Sequence, residues 1–213
     1  MAEAPTQRMH RSELPLKNLP ERVKKTVKTP APNRIVHIDT ETTGLHPHEG
    51  LLLEIAVVIT DDDLHPVAEY TSLIEHDLRQ VRDALDPFTR SMHEANGLLE
   101  DLESFQGSGK HLARVEEEVI SFLGAHGADR AVAAGSSIGF DRGWLDVHMP
   151  TLNRDHLHYR NVDVSTIKEL ARRWAPDVFA AAPEKQLGHR ALADIHETIR
   201  ELAHYREAGF LHG

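Results

Sequence analysis

Apolar and polar residues follow two periods along most of the chain, one typical of strands and one typical of helices. Segments rich in β-branched and apolar residues, bounded by turn residues, predict strands. Their ranges are 34–39, 51–60, 66–76, 131–136 and 160–164. Segments with apolar residues three and four positions apart predict helices. Their ranges are 111–127, 140–150, 165–176 and 190–209.

The helix at 111–127 has the clearest apolar face, and a glycine follows its last turn. That face consists of Leu112, Val115, Val119, Phe122 and Leu123. Pro150 would end the helix at 140–150. Thr166 and Glu169 have the spacing of a capping box at the start of the helix at 165–176.

The order of these elements indicates the fold class. Three strands in succession with short links predict an antiparallel meander, and helices then alternate with strands. The chain is therefore predicted to be an α/β protein with a mixed sheet and helices on both of its faces.

The composition changes near residue 34. The chain has 213 residues, enough for one good-sized domain and a tail. Eight lysines and arginines, counted through Arg34, stand against three glutamates at the start, with five prolines and little periodicity. We predict a flexible basic arm at 1–33 and one domain at 34–213. The arm is interpreted either as a contact to RNA or a partner, or as a solvated tail, and we favour the tail.

Charge and residue usage exclude several classes. The net charge of −10 argues against a broad basic face for long duplex nucleic acid, so a polyanionic substrate would be small or held through metals. The absence of cysteine excludes disulfides and cysteine-based zinc sites. The sequence has no membrane span and no secretory h-region, and we expect a cytoplasmic protein.

Two carboxylates, Asp39 and Glu41, come directly after the apolar run of the first strand. Residues i and i+2 of a strand point to one face, so these side chains would lie together and repel without a positive charge between them. Oxygen ligands suit Mg²⁺ or Mn²⁺, and two such ions can support displacement at a phosphodiester. The pair alone is weak evidence because acidic pairs are common on solvated turns.

Further candidate groups lie downstream. Asp141 stands where a strand of small residues leads into a helix, and Asp194 lies five residues after His189, which we place with it near one helix N-terminus. Separately, Asp141 could be a helix-start residue favoured by the dipole, and His189 a surface residue. Together they suggest a metal site with an imidazole for proton transfer.

The order Asp39, Glu41, Asp141, His189 and Asp194 resembles the DEDDh 3′-to-5′ exonuclease superfamily, which has a ribonuclease-H-like fold. Within it, "GSSIGFDRGWLDVHMPTLNRDHLHYRNVDVSTIKELARRWAP", "GHRALADIHETIREL" and "EIAVVITD" are similar to the oligoribonuclease family. The resemblance covers about 34–207.

The resemblance implies a homodimeric exoribonuclease that degrades very short RNA, dinucleotides above all, from the 3′ end to nucleoside 5′-monophosphates. It implies that the four carboxylates bind two Mg²⁺ or Mn²⁺ ions and that His189 takes the proton of the attacking water. It also implies that Leu45 is a wedge between bases. A cap over the 5′ phosphate would consist of His93, Ser137, Arg160 and Ser165, with Tyr159 from the second subunit.

Two departures from the family pattern are visible. The chain reads "DTETTGL" where the family often has methionine after the glutamate, a spelling more usual in proofreading subunits of DNA polymerases. Phe88 stands where the family commonly has a tryptophan beside the bound base, with less ring area for stacking.

Two other functions are compatible with parts of the sequence. A proofreading-type exonuclease on longer single strands fits "DTETTGLHP" but not the block "HYRNVDVSTIKELARRWAP". An idle RNA-binding or scaffold module would have no physical need for four clustered carboxylates and their repulsion.

Overall fold

The computed structural model describes residues 31, 33–185 and 188–210. Within these ranges the chain forms one mixed sheet of five strands and eight α-helices. The strands are β1 (Ile35–Thr42), β2 (Leu52–Thr60), β3 (Pro66–Leu73), β4 (Val132–Gly135) and β5 (Asn161–Asp163). The helices are α1 (Leu78–Ala84), α2 (Pro87–Ala95), α3 (Leu98–Ser104), α4 (Leu112–Ala125), α5 (Gly139–His148), α6 (Val164–Trp174), α7 (Pro176–Ala180) and α8 (Ala191–Glu207), and a π-helical turn, Leu152–His156, follows α5.

The sheet has the strand order β3-β2-β1-β4-β5. Strands β1, β2 and β3 pair antiparallel, whereas β4 pairs parallel with both β1 and β5. The predicted meander and the mixed α/β sheet are confirmed. Strand β1 lies in the middle of the sheet, so the residues at its end are surrounded by other elements.

The two faces of the sheet are covered by different helices. Ile55, Val57 and Ile59 of β2 pack in one core cluster with helix α4. The intervening residues Ala56 and Val58 pack in a second cluster with helix α8. This alternation is what the period of two predicts for a strand buried on both faces. The predicted helices on both faces are confirmed.

Strand β4 approaches β1 closely at Gly135. A Cβ atom at this position would lie 2.8 Å from the carbonyl oxygen of Ile38, which is closer than carbon and oxygen tolerate. Glycine therefore allows β4 to end beside β1, one residue before Asp39. Helix α5 starts four residues later, and its first turn comes to lie next to the end of β1.

The start of α6 differs from the prediction. The helix begins at Val164, and its N-cap is Asp163, whose side chain accepts a hydrogen bond from the Ser165 backbone. The hydroxyl of Thr166 donates to the Asp163 carboxylate at 2.7 Å. The capping box assigned to Thr166 and Glu169 is therefore wrong, because the preceding aspartate takes the cap position.

Three short helices between β3 and α4 had no specific sequence prediction. Helix α1 is capped by Asp77, and α2 is capped by Asp86 with a proline at its first turn. An aspartate before a proline is a known start signal for a helix, and in Asp86–Pro87 it was available in the sequence. Short helices give little periodicity, so that signal alone would have located α2.

The basic arm predicted at 1–33 lies almost wholly outside the described residues, and its separation from a domain at 34–213 stays a prediction. In the parts of the chain that the structure describes, no helix is both long and apolar enough to cross a membrane.

Candidate active site

Three carboxylates converge where β1 ends and α8 begins. Asp39 and Glu41 pair with Ala56 and Glu54 of β2, on the sheet face that α8 covers. Asp194 lies in the first turn of α8. One oxygen from each of Asp39, Glu41 and Asp194 lies within 4.8 Å of the others. The expectation that Asp39 and Glu41 share a face is confirmed.

Asp141 reaches the same region from the other face of the sheet. It lies in the first turn of α5, is 3% exposed, and accepts a hydrogen bond of 2.8 Å from the Thr40 hydroxyl. Thr40 precedes Glu41 on β1 and points to the opposite face. The two helices therefore bring one aspartate each to the end of the central strand.

The electrostatics of this cluster are unfavourable without a cation. Burial, reinforced by Glu54 and Asp194, raises the pKa of Glu41 to about 9. Burial and the neighbouring Asp141 and Glu41 raise the pKa of Asp39 well above its usual value. Burial also raises the pKa values of Asp141 and Asp194. All four groups resist ionisation because they are removed from water, and Asp39, Glu41 and Asp194 also lie close to other carboxylates.

These residues fit a divalent metal ion. Among the described residues, no hydrogen-bond donor reaches the buried Oδ1 atom of Asp194. An unpaired buried carboxylate oxygen beside two others is a costly arrangement that a hard cation would relieve. The all-oxygen donor set suits Mg²⁺ or Mn²⁺ more than the softer metals.

His189 lies beside this cluster, but it is not part of the helix. Helix α8 begins at Ala191, and His189 precedes it with a φ of 48°, in the left-handed region. His189 thus lies near the N-terminus of the helix that carries Asp194, where the sequence placed it, but outside the helix itself. The histidine is half-buried, and its charge when protonated would lower the pKa of Asp194.

An apolar cleft of about 430 Å³ opens directly next to Glu41. Leu45 and Phe88, which are 75% and 77% exposed, lie on its walls, together with Phe140 at 38%. Exposed apolar side chains that meet in one cleft are typical of a ligand site. The sequence predicted Leu45 and Phe88 there but missed Phe140, although it directly precedes Asp141.

The residues proposed for a phosphate cap fall into two groups. The Ser137 hydroxyl donates to Ser165 at 3.0 Å, and the Ser137 backbone, at a φ of 58°, donates to Asp163 at 2.9 Å. Arg160 and Tyr159 are both exposed, and Arg160 Nε donates to the Tyr159 hydroxyl at 3.1 Å.

His93, the fifth cap candidate, is fully buried on α2. Its Nε2 atom lies 2.9 Å from the carbonyl oxygen of Thr42, and its Nδ1 atom lies 4.0 Å from the Glu41 carboxylate. The structure thus brings His93 to the end of β1, beside a proposed metal ligand. Its direct contact to a phosphate stays a prediction.

The comparisons with known proteins agree with this geometry. A family profile described as "Exonuclease" matches residues 36–202. Curated proteins named "Oligoribonuclease" match most of the chain. Those of Mycobacterium sp. (strain KMS) and Leifsonia xyli subsp. xyli are 44% and 48% identical over 181 residues, which is 84% of this chain and 82% and 85% of theirs. The chain belongs to the oligoribonuclease family of exonucleases.

Solved structures of more distant exonucleases share the fold. A zinc-bound complex of E. coli exonuclease I with single-stranded DNA has a TM-score of 0.65 at 13% identity, over 83% of this chain. Exonuclease I from Methylocaldum szegediense has a TM-score of 0.60 at 19% identity, over 82% of this chain. The match spans 41% and 40% of those longer chains, and at these identities it supports the exonuclease fold alone.

Three residues that hold the backbone around the site, Glu54, Arg190 and Asn96, were not predicted from the sequence. Glu54 lies opposite Glu41 on β2 and is 5% exposed. Arg190 donates to the Glu54 carboxylate, and Asn96 donates to the His189 carbonyl oxygen. A glutamate inside the apolar run "LLLEIAVVIT" was a visible signal, because a strand buried on both faces rarely holds an unpaired charge.

Proposed function

We propose that this protein is a 3′-to-5′ exoribonuclease that degrades short RNA, dinucleotides above all, to nucleoside 5′-monophosphates by two-metal-ion hydrolysis. The observation that carries the proposal is the meeting of Asp39, Glu41 and Asp194 beside an apolar cleft. The name that the curated relatives carry, oligoribonuclease, supports short RNA as the substrate.

Asp39, Glu41, Asp141 and Asp194 are the proposed ligands of two Mg²⁺ or Mn²⁺ ions. When bound, the ions supply positive charge that stabilises both the attacking and the leaving oxygen of the phosphodiester. The same charge would let the four carboxylates ionise near neutral pH, in spite of their burial.

His189 is the proposed general base. His189 lies just before the helix that carries Asp194, and an imidazole beside the proposed metal ligands is suited to take the proton of the attacking water. The half-exposed position leaves a path by which that proton returns to solvent.

Leu45, Phe88 and Phe140 are proposed to hold the bases of the substrate. A dinucleotide places two flat apolar rings close to its scissile phosphate, and base stacking on an aromatic side chain contributes about 1–3 kcal/mol per base. Phe140 adds a ring to the cleft and so offsets part of the area that phenylalanine lacks, relative to tryptophan, at position 88.

The cap at the 5′ phosphate is proposed to consist of Ser137, Ser165, Arg160 and His93, with Tyr159 from the second subunit of a homodimer. Hydroxyl and guanidinium groups are suitable donors to a terminal phosphate. A closed cap blocks a longer chain, so it would restrict the substrate to very short RNA. The homodimer rests on the family resemblance, and the cytoplasmic location rests on the sequence alone.

The test compares 5′-labelled RNA dinucleotide with an RNA of about 20 residues, the length at which a nucleic acid extends far beyond one cap. Each is incubated with Mg²⁺ or Mn²⁺, or with EDTA. We expect fast cleavage of the dinucleotide, slow cleavage of the longer RNA, and no cleavage in EDTA or with Asp39→Ala. Asp129→Ala, which changes an exposed aspartate paired with His156, is the matched control and should keep full activity.

A second candidate is an exonuclease that acts on longer single strands. It is favoured by the "DTETTGL" spelling and by the single-stranded DNA in the exonuclease I complex. Equal rates on both substrate lengths would support this candidate. They would also mean that no cap at the 5′ phosphate restricts the length of the substrate. A dinucleotide that stays intact in Mn²⁺ would contradict both.

A further inference from the structure

Arg190, which directly precedes α8, contacts strand β2 and helix α3 next to the candidate active site. Its Nε and Nη2 atoms lie 3.3 and 3.2 Å from the two carboxylate oxygens of Glu54 on β2. Its Nη1 atom lies 2.7 Å from Asp101 on α3. The Arg190 side chain is 32% exposed and that of Glu54 is 6% exposed. A planar guanidinium held by two carboxylates has little freedom to move.

The backbone on either side of Arg190 is held as well. The Ala191 N–H donates to Glu54 at 3.3 Å, and the side chain of Asn96 donates to the carbonyl oxygen of His189. Three consecutive residues, 189–191, are therefore tied to β2 and to the corner between α2 and α3. Glu54, which accepts hydrogen bonds from both Arg190 and Ala191, lies close to the proposed metal ligands because it pairs directly with Glu41 in the sheet.

His189 needs such support because of its backbone conformation. A φ of 48° lies in the left-handed region, which costs free energy for a residue with a Cβ atom. Strained conformations persist only where the surrounding structure holds them. Without the contacts at 189–191, the turn would relax toward a negative φ and the imidazole would move away from Asp194.

We propose that Arg190 is a positioning residue that fixes the imidazole of His189 for proton transfer. It does so through the hydrogen bonds that its guanidinium group donates to Glu54 and Asp101. Among the described residues, Arg190 donates to Glu54 and Asp101 and not to the four proposed metal ligands, and its role is exerted through the histidine. The inference rests on the proposed role of His189 as general base.

The test is a double-mutant cycle on kcat for dinucleotide hydrolysis, with wild type, Arg190→Gln, His189→Ala and the double variant. His189→Ala should lower kcat by about 10²- to 10⁴-fold. Arg190→Gln should lower kcat by about 10- to 100-fold, the usual effect of misplacing a reacting group, with KM little changed. In the His189→Ala background, Arg190→Gln should have little further effect, because no imidazole remains to be positioned.

Two measurements separate positioning from general support of the fold. Mn²⁺ binding, measured by calorimetry, should be nearly the same in Arg190→Gln and wild type. Arg190→Lys keeps the positive charge but cannot donate to both carboxylates in one plane, and its kcat should lie between those of Arg190→Gln and wild type. The matched control is Arg206→Gln, which breaks an arginine–aspartate pair to Asp63 at the far end of α8 and should keep full kcat.

The outcomes are distinct. A loss of kcat of the same factor in both backgrounds would overturn the proposal, since Arg190 would then act independently of His189. A loss that follows weaker Mn²⁺ binding would overturn it too, as would full kcat in Arg190→Gln. If His189→Ala itself keeps full kcat, the proposed role of the histidine fails, which differs from a failure at Arg190 alone. If Arg190→Gln does not fold, the same cycle is run with Arg190→Lys.

Discussion

Helix α8 carries the half-buried Asp194 and the buried Glu201 about two turns apart, and the surroundings of these two carboxylates are opposite. Glu201, 2% exposed, lies 2.9 Å from Lys185 and 3.2 Å from Lys168, and it accepts a hydrogen bond from Tyr205. Burial would raise the pKa of Glu201, but the two lysines hold it below the usual value. Asp194 lies instead among other carboxylates, and its pKa is raised by burial.

The difference separates a structural charge from a functional one. A buried charge with its partners in place stabilises the position of a helix, whereas like charges held together reduce the stability of the fold. The acidic cluster therefore reduces stability when no cation is bound, whereas two lysines pair with the buried charge of Glu201 on the same helix.

The largest effect should come from Asp194→Asn. The amide keeps the shape but removes a proposed metal ligand, so kcat should fall at least about 10³-fold, since metal ions supply several kcal/mol of transition-state stabilisation. In EDTA the unfolding free energy of this variant should not fall, because a repelling charge is lost. Kinetics and urea denaturation test the two statements.

Glu201→Gln is the matched variant. It should lower the unfolding free energy by about 1–3 kcal/mol, because two lysines lose their partner, and it should leave kcat unchanged. If Glu201→Gln instead abolished activity while Asp194→Asn did not, the functional and structural assignments of the two carboxylates would be reversed.

Removal of both lysines should destabilise the protein strongly. Lys168→Ala/Lys185→Ala leaves Glu201 buried with no cation beside it, a change that typically costs about 3–5 kcal/mol. Addition of Glu201→Gln to this variant should restore part of the loss, since the buried charge is then gone. Urea denaturation at pH 7 measures both, and no recovery would mean that the lysines act through packing of their methylene groups.

The two regions also differ in how far the sequence predicts them. The proposed ligands Asp39, Glu41 and Asp194 follow from periodicity and spacing, because a strand end and a helix start are local features. The antiparallel meander and the α/β class were also predictable from local patterns, whereas the position of β4 beside β1 was not. The pairing of Glu201 with Lys168 and Lys185 was not, since it joins α8 to α6 and to the segment after α7.

The position of His189 shows a second limit. The sequence placed it correctly near Asp194, but it gave no sign that the backbone turns left-handed before α8 begins. The side chains that bond residues 189–191 are those of Glu54, Asp101 and Asn96, which are distant in the chain. Long-range contacts of this kind have no period, so only the folded structure reveals them.

Metal binding should stabilise the acidic cluster and leave the paired one unaffected. A ligand that binds only the folded state adds about 2.7 kcal/mol at a hundredfold excess over its Kd. Mn²⁺ should therefore raise the thermal midpoint of wild type and of Glu201→Gln by similar amounts. Asp194→Asn should gain much less, and an equal gain in that variant would place the stabilising ion elsewhere on the protein.

The smallest expected effect is a pH dependence of the metal-free protein. The pKa of Glu41 is about 9 in the folded state, above the usual 4.5, so the folded protein holds a proton that the unfolded chain releases. Stability from this group is complete below about pH 4.5 and is lost as pH rises toward about 9. In EDTA, Glu41→Gln should therefore raise the unfolding free energy at pH 8 and change it little at pH 4. Glu118→Gln, at a carboxylate whose pKa is lowered by Lys110 and Tyr70, should have the opposite sign at pH 8. Thermal melts at both pH values measure the contrast, and the same sign in both variants would mean that repulsion within the acidic cluster does not limit stability.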